Sequence, residues 1–187
     1  MAVRDNDLAE LYGGAMTCEL PRSFVDASQM REVPDHQEVW VDTATDRSFI
    51  VEVLDRKTEV PDDQAITFFL EDLASFNDAK EAAVLISRRA ADEETPGLPP
   101  DTVCLVGAGE QLVAKFAEAS ANRVKVHICA VRLVEQETDL LITLNDPVAI
   151  DPQSSSAVAP VAQAGEELFA QVLRSFRIVD WTLFTPS

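Results

Sequence analysis

The stretch VKVHICAVRLVEQETDLLITLN, residues 124–145, decides the fold. Its apolar content predicts a long strand over residues 124–134, a polar turn at 135–137, and a strand over 139–145 that pairs back on the first. Two strands joined by so short a turn must run antiparallel, because a parallel pair needs a long crossover connection. The stretch therefore predicts an antiparallel sheet.

Further short apolar runs predict more strands on both sides of this hairpin. Two of them are separated by polar turn residues at 42–47 and are predicted to form another hairpin. The segment Gly107-Ala108-Gly109 is predicted to be a hairpin turn, because neither GK[ST] nor a third glycine in dinucleotide spacing follows it. The additional predicted strands are 15–20, 38–41, 48–54, 84–87, 103–106 and 111–116.

Two amphipathic helices are predicted to cover the apolar faces of the sheet. The first spans residues 62–76, with Asp62 or Asp63 placed to cap its first turn. The second lies near the end of the chain and is followed by an aromatic segment at 180–184, which we expect to be ordered. Hairpins covered by helices indicate an α+β fold built in layers. The apolar faces are Ile66, Phe69, Leu70 and Leu73 in the first helix and Leu168, Phe169, Val172, Leu173 and Phe176 in the second.

Length and composition favour one domain over residues 1–187. The chain has 187 residues, of which 47% are hydrophobic, enough for one core of ordinary size. We expect a flexible N-terminus at 1–10 and long loops at 90–101 and 146–160. Residues 1–10 are too charged for a secretory signal, and no later stretch approaches the ~18 apolar residues of a membrane span. The three widely spaced cysteines fit reduced thiols better than a disulfide framework.

The chain is strongly acidic. Its formal charge is -18 at pH 7, and its isoelectric point is near 4.3. This charge argues against nucleic acid or an anionic membrane as a partner, because phosphate binding relies on Lys and Arg. A partner with a basic face fits better, although the same charge also serves solubility alone.

Two groups of residues were candidates for catalysis or metal binding. His127 and Cys129 lie two apart on a predicted strand and face the same side, which raises the alternative of an enzyme or small-ligand protein with a base and a nucleophile. Only His36 accompanies His127, and no CxxC or HxxxH spacing occurs, so no metal site is predicted. We expect both residues to be ordinary buried strand side chains. Adjacent carboxylates at 62–63 and 71–72 diverge by about 100° on a helix and predict solvated positions or caps.

The polar segment 31–38 has a different character. It concentrates charged and hydrogen-bonding groups around Pro34, between two core elements. Asp26 is placed to cap a short helix over 26–31 just before it. A rigid loop of this kind on a stable scaffold is typical of a recognition surface.

Several blocks of the chain occur in a distinctive order. The specific one is DASQMREVPDHQEV at 26–39, because mixed polar and Pro residues seldom arise from helix or strand patterning. The others are LYGGA at 11–15, SFIVEVL at 48–54, FLED at 69–72, AVRL at 130–133, TDLLITLNDP at 138–147 and DWTLF at 180–184. Over residues 11–184 this order resembles the Ran guanine nucleotide release factor family.

The resemblance implies a fold and a function. The fold is a sheet of about six mainly antiparallel strands flanked by helices, an α/β/α sandwich also found in PsbP proteins. The implied partner is the Ran GTPase, with other Ran-binding proteins as further candidates. The implied activity is promotion of GTP release by stabilising nucleotide-free Ran during nuclear protein import, with no cofactor and no catalytic centre of its own. The alternative is an acidic Ran adaptor or transport cofactor without exchange activity. We expect a monomer present in nucleus and cytoplasm.

Partner-binding residues are predicted from the resemblance. Each prediction has a structural alternative: Arg31 and Glu38 form an intramolecular pair that holds the loop, and Asp26 is only a helix cap. Pro34 is expected to be structural. The first-choice residues are Asp26, Arg31, Asp35, Gln37 and Glu38, and the second choices are Glu71 and Asp72.

Overall fold

The computed structural model describes residues 6–114, 121–153 and 164–185. The strands in these ranges are β1 Asn6–Leu11, β2 Met16–Pro21, β3 Phe24–Asp26, β4 Gln37–Asp42, β5 Arg47–Asp55, β6 Glu81–Arg89, β7 Val103–Ala114, β8 Ala121–Leu133, β9 Thr138–Ala149 and β10 Arg177–Ile178. The helices are α1 Asp62–Phe76 and α2 Gly165–Ser175, and short 3₁₀ turns lie at Tyr12–Gly14, Ala27–Gln29, Asp92–Glu94 and Trp181–Phe184.

Most strands belong to one antiparallel sheet of seven, in the order β3-β4-β5-β9-β8-β7-β6. The predicted hairpin at 124–145 is confirmed as β8 and β9, with His127 opposite Leu144. The hairpin around 42–47 is confirmed as β4 and β5. A second sheet has three antiparallel strands in the order β1-β2-β10. The predicted α+β class is confirmed, with more strands than expected.

The two faces of the seven-stranded sheet carry separate apolar cores, because side chains alternate between the faces of a strand. One core packs against α1 and is termed the α1 face; the other packs against α2 and the three-stranded sheet and is termed the α2 face. The sheet residues in the α1-face core are Leu105, Val126, Ile128, Ala130 and Leu141. Those in the α2-face core are Phe24, Phe49, Val51, Cys104, Val106, Cys129, Val131, Leu133, Leu140, Ile142 and Leu144.

Helix α1 has the predicted bounds but not the predicted cap. Pro61 occupies the N-cap position, and no side chain caps the first turn. Asp62 instead lies in that turn, 3.2 Å from the guanidinium of Arg132. Arg132 is fully buried and donates from Nε to Asp139 at 2.7 Å. Arg132 therefore links Asp139 to the first turn of α1. Breaking the buried pair of Arg132 and Asp139 would be destabilising, because it would leave an unpaired buried charge.

The predicted hairpin turn at Gly107-Ala108-Gly109 is wrong, because β7 continues straight through it. A Cβ added to Gly107 would meet the side chain of Ile66 on α1. At Gly109 it would lie 3.2 Å from a methyl group of Leu70. The glycines therefore allow close approach of the helix to the strand, another common use of glycine within strands.

The N-terminus and one predicted loop are more ordered than expected. Residues 6–10 belong to β1, where Ala9 is buried opposite Cys18 of β2, whereas residues 1–5 lie outside the described residues. The loop at 90–101 contains a 3₁₀ turn, and its Leu98 packs against the α2-face core. Apolar side chains in these segments are buried against the α2-face core. The free energy gained by this burial keeps the segments ordered although their neighbouring residues are polar.

The end of the chain was predicted only in part. Residues 146–149 of the expected loop 146–160 continue β9, and residues 154–160 lie outside the described residues. The aromatic segment at 180–184 is ordered, as expected, with Trp181 and Phe184 against the α2-face core. No helix in the described ranges is long and apolar enough to cross a membrane.

Candidate functional site

The five first-choice residues lie from the end of β3 to the start of β4 and are termed the loop surface: Asp26, Arg31, Asp35, Gln37 and Glu38. The carboxylate of Asp26 accepts a hydrogen bond from the Ser28 N–H at 2.8 Å, so its predicted cap role is confirmed. It caps the 3₁₀ turn Ala27–Gln29, and the expected helix through residue 31 does not form.

Tyr12 anchors the base of the loop surface. Its backbone N–H donates to Glu38 Oε1 at 2.6 Å. Its hydroxyl lies 2.8 Å from the His36 carbonyl oxygen and 2.9 Å from that of Val51, and its proton bonds to these acceptors. Tyr12 has a φ of 50°, and the turn continues through Gly13 at 66°. A left-handed turn on the three-stranded sheet therefore holds the strand that follows the loop.

Gln37 and Glu38 point to opposite faces because they are neighbours on β4. Gln37 donates from Nε2 to Glu52 Oε1 at 2.7 Å, directly across the strand pair. Its amide is therefore already engaged within the fold. Glu38 is half-buried and uses one carboxylate oxygen for Tyr12, so the loop surface rests on two internal hydrogen bonds.

Asp35 and Arg31 are the solvent-facing members of the loop surface. The Gln37 N–H donates to the Pro34 carbonyl at 2.9 Å, which closes a turn with Asp35 exposed at its tip and supports a structural role for Pro34. Among the described residues, the Arg31 guanidinium donates only to the Glu32 carbonyl, at 3.4 Å. The predicted Arg31–Glu38 pair is absent among the described residues, because Glu38 turns toward Tyr12. Arg31 and Asp35 thus remain available to a partner.

Burial at the base of the loop shifts the pKa values of Glu38 and Tyr12. Burial raises the pKa of Glu38; the Tyr12 N–H acts against this shift, and the nearby charge of Asp26 adds to it. Burial also raises the pKa of Tyr12, as do the charges of Glu38 and Glu52. The phenol therefore stays protonated and keeps its donor role at neutral pH.

The second-choice residues Glu71 and Asp72 are not near the loop surface. They are exposed on α1, which packs against β6, β7 and β8, whereas the loop surface adjoins β3 and β4 at the opposite edge of the sheet. Glu71 instead lines a small pocket beside β6. The structure therefore separates the seven predicted residues into two groups.

His127 and Cys129 do not form a nucleophile and base. Both are buried on the α2 face, as predicted for ordinary strand residues. The Cys129 thiol is hydrogen-bonded to the Cys104 thiol. This hydrogen bond and burial together raise the Cys129 pKa well above its usual range. His127 packs at 5.8 Å from the ring of Phe169, and burial lowers its pKa. No cluster of three or more metal-ligating side chains occurs among the described residues.

Sequence reasoning missed Tyr12 as a site residue. Its block was part of the resemblance, but nothing in its local pattern indicated contact with residues 36–38. The available signal was the Gly13-Gly14 pair, since consecutive glycines after a strand indicate a left-handed turn. The acceptor carbonyls were not identifiable before the fold brought β4 and β5 beside this turn.

The sequence of this chain is similar to those of known proteins over most of its length. Residues 9–147 match the model of a family described as "Mog1: Ran-interacting Mog1 protein". The chain is 38% identical over 179 residues to the Ran guanine nucleotide release factor of Danio rerio, covering 93% of this chain and 97% of the relative. It is 30% identical to the nuclear import protein MOG1 of Saccharomyces cerevisiae, with 96% and 85% covered.

Solved structures agree with this similarity. The crystal structure of the Saccharomyces cerevisiae Ran-binding protein Mog1p superposes with a TM-score of 0.71 at 28% identity, covering 96% of this chain and 98% of that one. The solution structure of cyanobacterial PsbP from Synechocystis gives a TM-score of 0.55 at 12% identity, which shows the shared fold alone. The expected likeness to PsbP proteins is confirmed at the level of fold.

Proposed function

The chain belongs to the Ran-interacting Mog1 family, and we propose on this basis that it binds the GTPase Ran and promotes release of its guanine nucleotide in nuclear import. The names of the relatives, Ran guanine nucleotide release factor and nuclear import protein, support this activity. A protein of 20.5 kDa diffuses through nuclear pores, so we place it in both nucleus and cytoplasm.

The observation that carries the proposal is the loop surface, where Arg31 and Asp35 are exposed on a segment anchored by hydrogen bonds. Both side chains lack an ion-pair partner in the described part of the chain, so contact with Ran breaks no internal pair. A pre-ordered loop also reduces the entropy lost on binding. The net charge of -18 favours a basic face on the partner.

The loop residues are assigned different roles in this proposal. Asp35 and Arg31 contact Ran directly, and Glu38 contributes its second carboxylate oxygen while the first holds Tyr12. Gln37 and Asp26 act through the fold, since their side chains bond to Glu52 and to the Ser28 N–H. Glu71 and Asp72 lie outside this contact because α1 packs at the other edge of the sheet.

Nucleotide release needs no catalytic group on this chain. If the protein binds nucleotide-free Ran more tightly than loaded Ran, reciprocity requires that it weaken nucleotide binding by the same factor. A coupling free energy of about 1.4 kcal/mol corresponds to a tenfold change in affinity. Cys129 is fully buried, so its thiol is not accessible as a nucleophile.

The test is release of a fluorescent guanine nucleotide from purified Ran at increasing concentrations of this protein. We expect saturable acceleration, reduced about tenfold or more by Asp35→Lys/Glu38→Lys because both changes place cations on a surface proposed to meet a basic face. Asp72→Lys is the matched control for reversing a carboxylate charge, since it is exposed on α1 away from the loop surface, and it should leave release unchanged.

The outcomes separate exchange from simple binding. Unchanged release together with direct capture of Ran would favour the adaptor without exchange activity. If the protein neither accelerated nucleotide release nor captured Ran, the proposed function would be rejected. Equal effects of the loop variant and of Asp72→Lys would reject the loop surface as the contact, because a general charge effect would explain both.

A further inference from the structure

Strand β6 is an unusually open edge of the seven-stranded sheet. In the described part of the chain it pairs only with β7, and all its residues, Glu81–Arg89, are exposed. Its centre carries Val84, Leu85 and Ile86, with 38%, 51% and 48% of their surface exposed. Neither proline nor charge interrupts residues 82–87. Proteins usually protect such edges, because their free backbone groups pair with another strand.

Each face of the sheet has a pocket beside this edge. On the α2 face, a pocket of about 190 Å³ lies between β6 and α2 and includes Ile86, Phe169 and Leu173. On the α1 face, a smaller pocket of about 80 Å³ includes Val84 and Glu71. Side chains of a strand added at β6 would alternate between these faces, which is the arrangement that peptide recognition by strand addition uses.

The α2-face pocket has an unsatisfied polar group in its lining. His127 is only 4% exposed, and its Nε2 has no hydrogen-bond partner within the described part of the chain. Burial and the neighbouring Lys125 lower its pKa, so the ring is neutral and offers one donor and one acceptor. Phe169 and Leu173 supply apolar walls. This combination fits a tyrosine side chain, whose ring is apolar and whose hydroxyl forms a hydrogen bond.

The α1-face pocket favours a cation. Glu71 lines it and has no ion-pair partner among the described residues. An aliphatic stem over Leu70 and Val84 would bring a Lys or Arg head group to this carboxylate. The acidity of the whole chain acts in the same direction.

A second copy of this chain paired about Leu85 does not fit the same edge. The register of β6 shifts between Val84 and Ile86, so Leu85 is an extra residue in a bulge. Val84 lines the α1-face pocket, whereas Ile86 lines the α2-face pocket. Antiparallel pairing of two β6 strands about Leu85 would place Val84 opposite Ile86 of the second copy. Directly opposed residues must share a face, so this pairing is mismatched.

We propose that the outer edge of β6 binds an extended peptide segment as an added strand, with a tyrosine in the α2-face pocket and a basic side chain at Glu71. The two side chains lie on opposite faces and are therefore an odd number of residues apart. Val84 lines the α1-face pocket and Arg88 lines the α2-face pocket. With the bulge residue Leu85 between them, the residues opposite these two are three apart. This edge lies roughly 29 Å across the sheet from β3, so it is separate from the loop surface.

The probes are two fluorescein-labelled peptides, Thr-Tyr-Thr-Thr-Arg-Thr and Thr-Arg-Thr-Thr-Tyr-Thr, which place the same side chains in antiparallel and parallel strands. One of them should give saturable anisotropy, with NMR amide shifts concentrated in residues 81–89. Replacing its tyrosine by phenylalanine should weaken binding severalfold. Glu71→Lys should weaken it about tenfold, whereas the matched change Asp72→Lys on the same helix should not. Ala170→Phe should fill the α2-face pocket and prevent binding.

Four results would overturn the proposal. The first is no saturation by either peptide at roughly 1 mM, where a specific contact of millimolar affinity would be visible. The second is a shift pattern centred on residues 26–38. The third is equal binding by a peptide N-methylated at alternate residues, since methylation blocks strand pairing. The fourth is a concentration-dependent doubling of mass without peptide, which would indicate that a second copy of the chain occupies the β6 edge.

Discussion

The two edges of the seven-stranded sheet are built in different ways. The β3 edge is three residues long, Phe24–Asp26, and passes at once into the polar loop surface. The β6 edge runs for nine residues, Glu81–Arg89, and no polar segment in the described ranges covers it. At the first edge Tyr12 holds the loop by hydrogen bonds to backbone and carboxylate. At the second, Gly107 lets α1 pack closely beneath the strands.

The difference shows two ways to make a rigid surface. A loop has few apolar contacts, so its order depends on hydrogen bonds that satisfy its backbone. An edge strand is ordered by its neighbour and by the helix below, and its outer backbone groups remain free. The β3 edge is therefore suited to recognition by side chains, and the β6 edge to recognition by main chain. The following predictions test this distinction, beginning with the largest effect.

Gly107→Val should produce the largest loss of stability, about 3 kcal/mol, at the upper end of the range for overpacking. The new Cβ would meet the side chain of Ile66 and lie 2.6 Å from the Ile86 carbonyl oxygen. Urea denaturation measures the loss, and hydrogen exchange should accelerate more in β6 than in β4. At the other edge, Gly13→Ala meets no atom within 4 Å and should cost only about 1 kcal/mol, from its φ of 66°. Equal costs would contradict the distinction.

Tyr12→Phe should destabilise the protein by about 1 kcal/mol, the usual net value of one hydrogen bond. The change removes the hydroxyl that bonds to the His36 and Val51 carbonyls but keeps the ring. Hydrogen exchange by NMR should show faster opening in residues 34–38 and no change in β6. An unchanged urea midpoint with unchanged exchange would mean that the phenol does not hold the loop.

Arg88→Met should cost less than about 1 kcal/mol, since the Arg88–Glu94 pair is largely exposed. Its clearer effect is on Glu94, whose pKa the hydrogen bonds from Arg88 lower to about 2. A carboxyl group whose pKa is lowered in the folded state contributes stability at pH values above its ordinary pKa. This contribution is lost as pH falls toward 2. The variant should return the Glu94 pKa toward the ordinary carboxyl value in an NMR titration. Arg89→Met is the control and should leave that pKa low.

Glu38→Gln should have the smallest effect on the fold, because the amide oxygen still accepts from the Tyr12 N–H. Burial raises the pKa of Glu38 in the folded state, so its ionisation destabilises the fold as pH rises through that pKa. The variant lacks this loss and should gain stability relative to the unmodified protein over the pH window that begins at the ordinary carboxyl pKa and ends above the raised one. Thermal melts across that window measure the difference. A variant that becomes relatively less stable as pH rises would contradict the raised pKa.

The sequence predicted the elements whose pattern is local. Helix α1 was predicted with its observed bounds from the spacing of Ile66, Phe69 and Leu70, which form the face buried against the sheet. The hairpin of β8 and β9 was likewise visible in alternating apolar residues around a polar turn. Short strands such as β3 and β10 were missed, because two or three residues carry too little pattern to distinguish a strand from a turn.

The candidate site was predicted only as a segment. The order of blocks identified residues 26–39 and grouped Glu71 and Asp72 with them, although α1 lies at the other edge of the sheet. Proximity between distant segments depends on strand order, which the spacing of residues does not encode. The role of Tyr12 was missed for the same reason, since it contacts a carboxylate 26 residues away.

The sequence by itself determined the α+β class, both main helices, the central hairpins and the family to which the chain belongs. These follow from periodicities and from an ordered set of blocks, which survive without knowledge of any long-range contact. Only the tertiary structure decided that Gly107 and Gly109 lie under a helix, that Glu38 turns to Tyr12, and that β6 is left as an open edge. Each of these depends on which segments meet in space, because packing and hydrogen bonding act between atoms that are near neighbours only after folding.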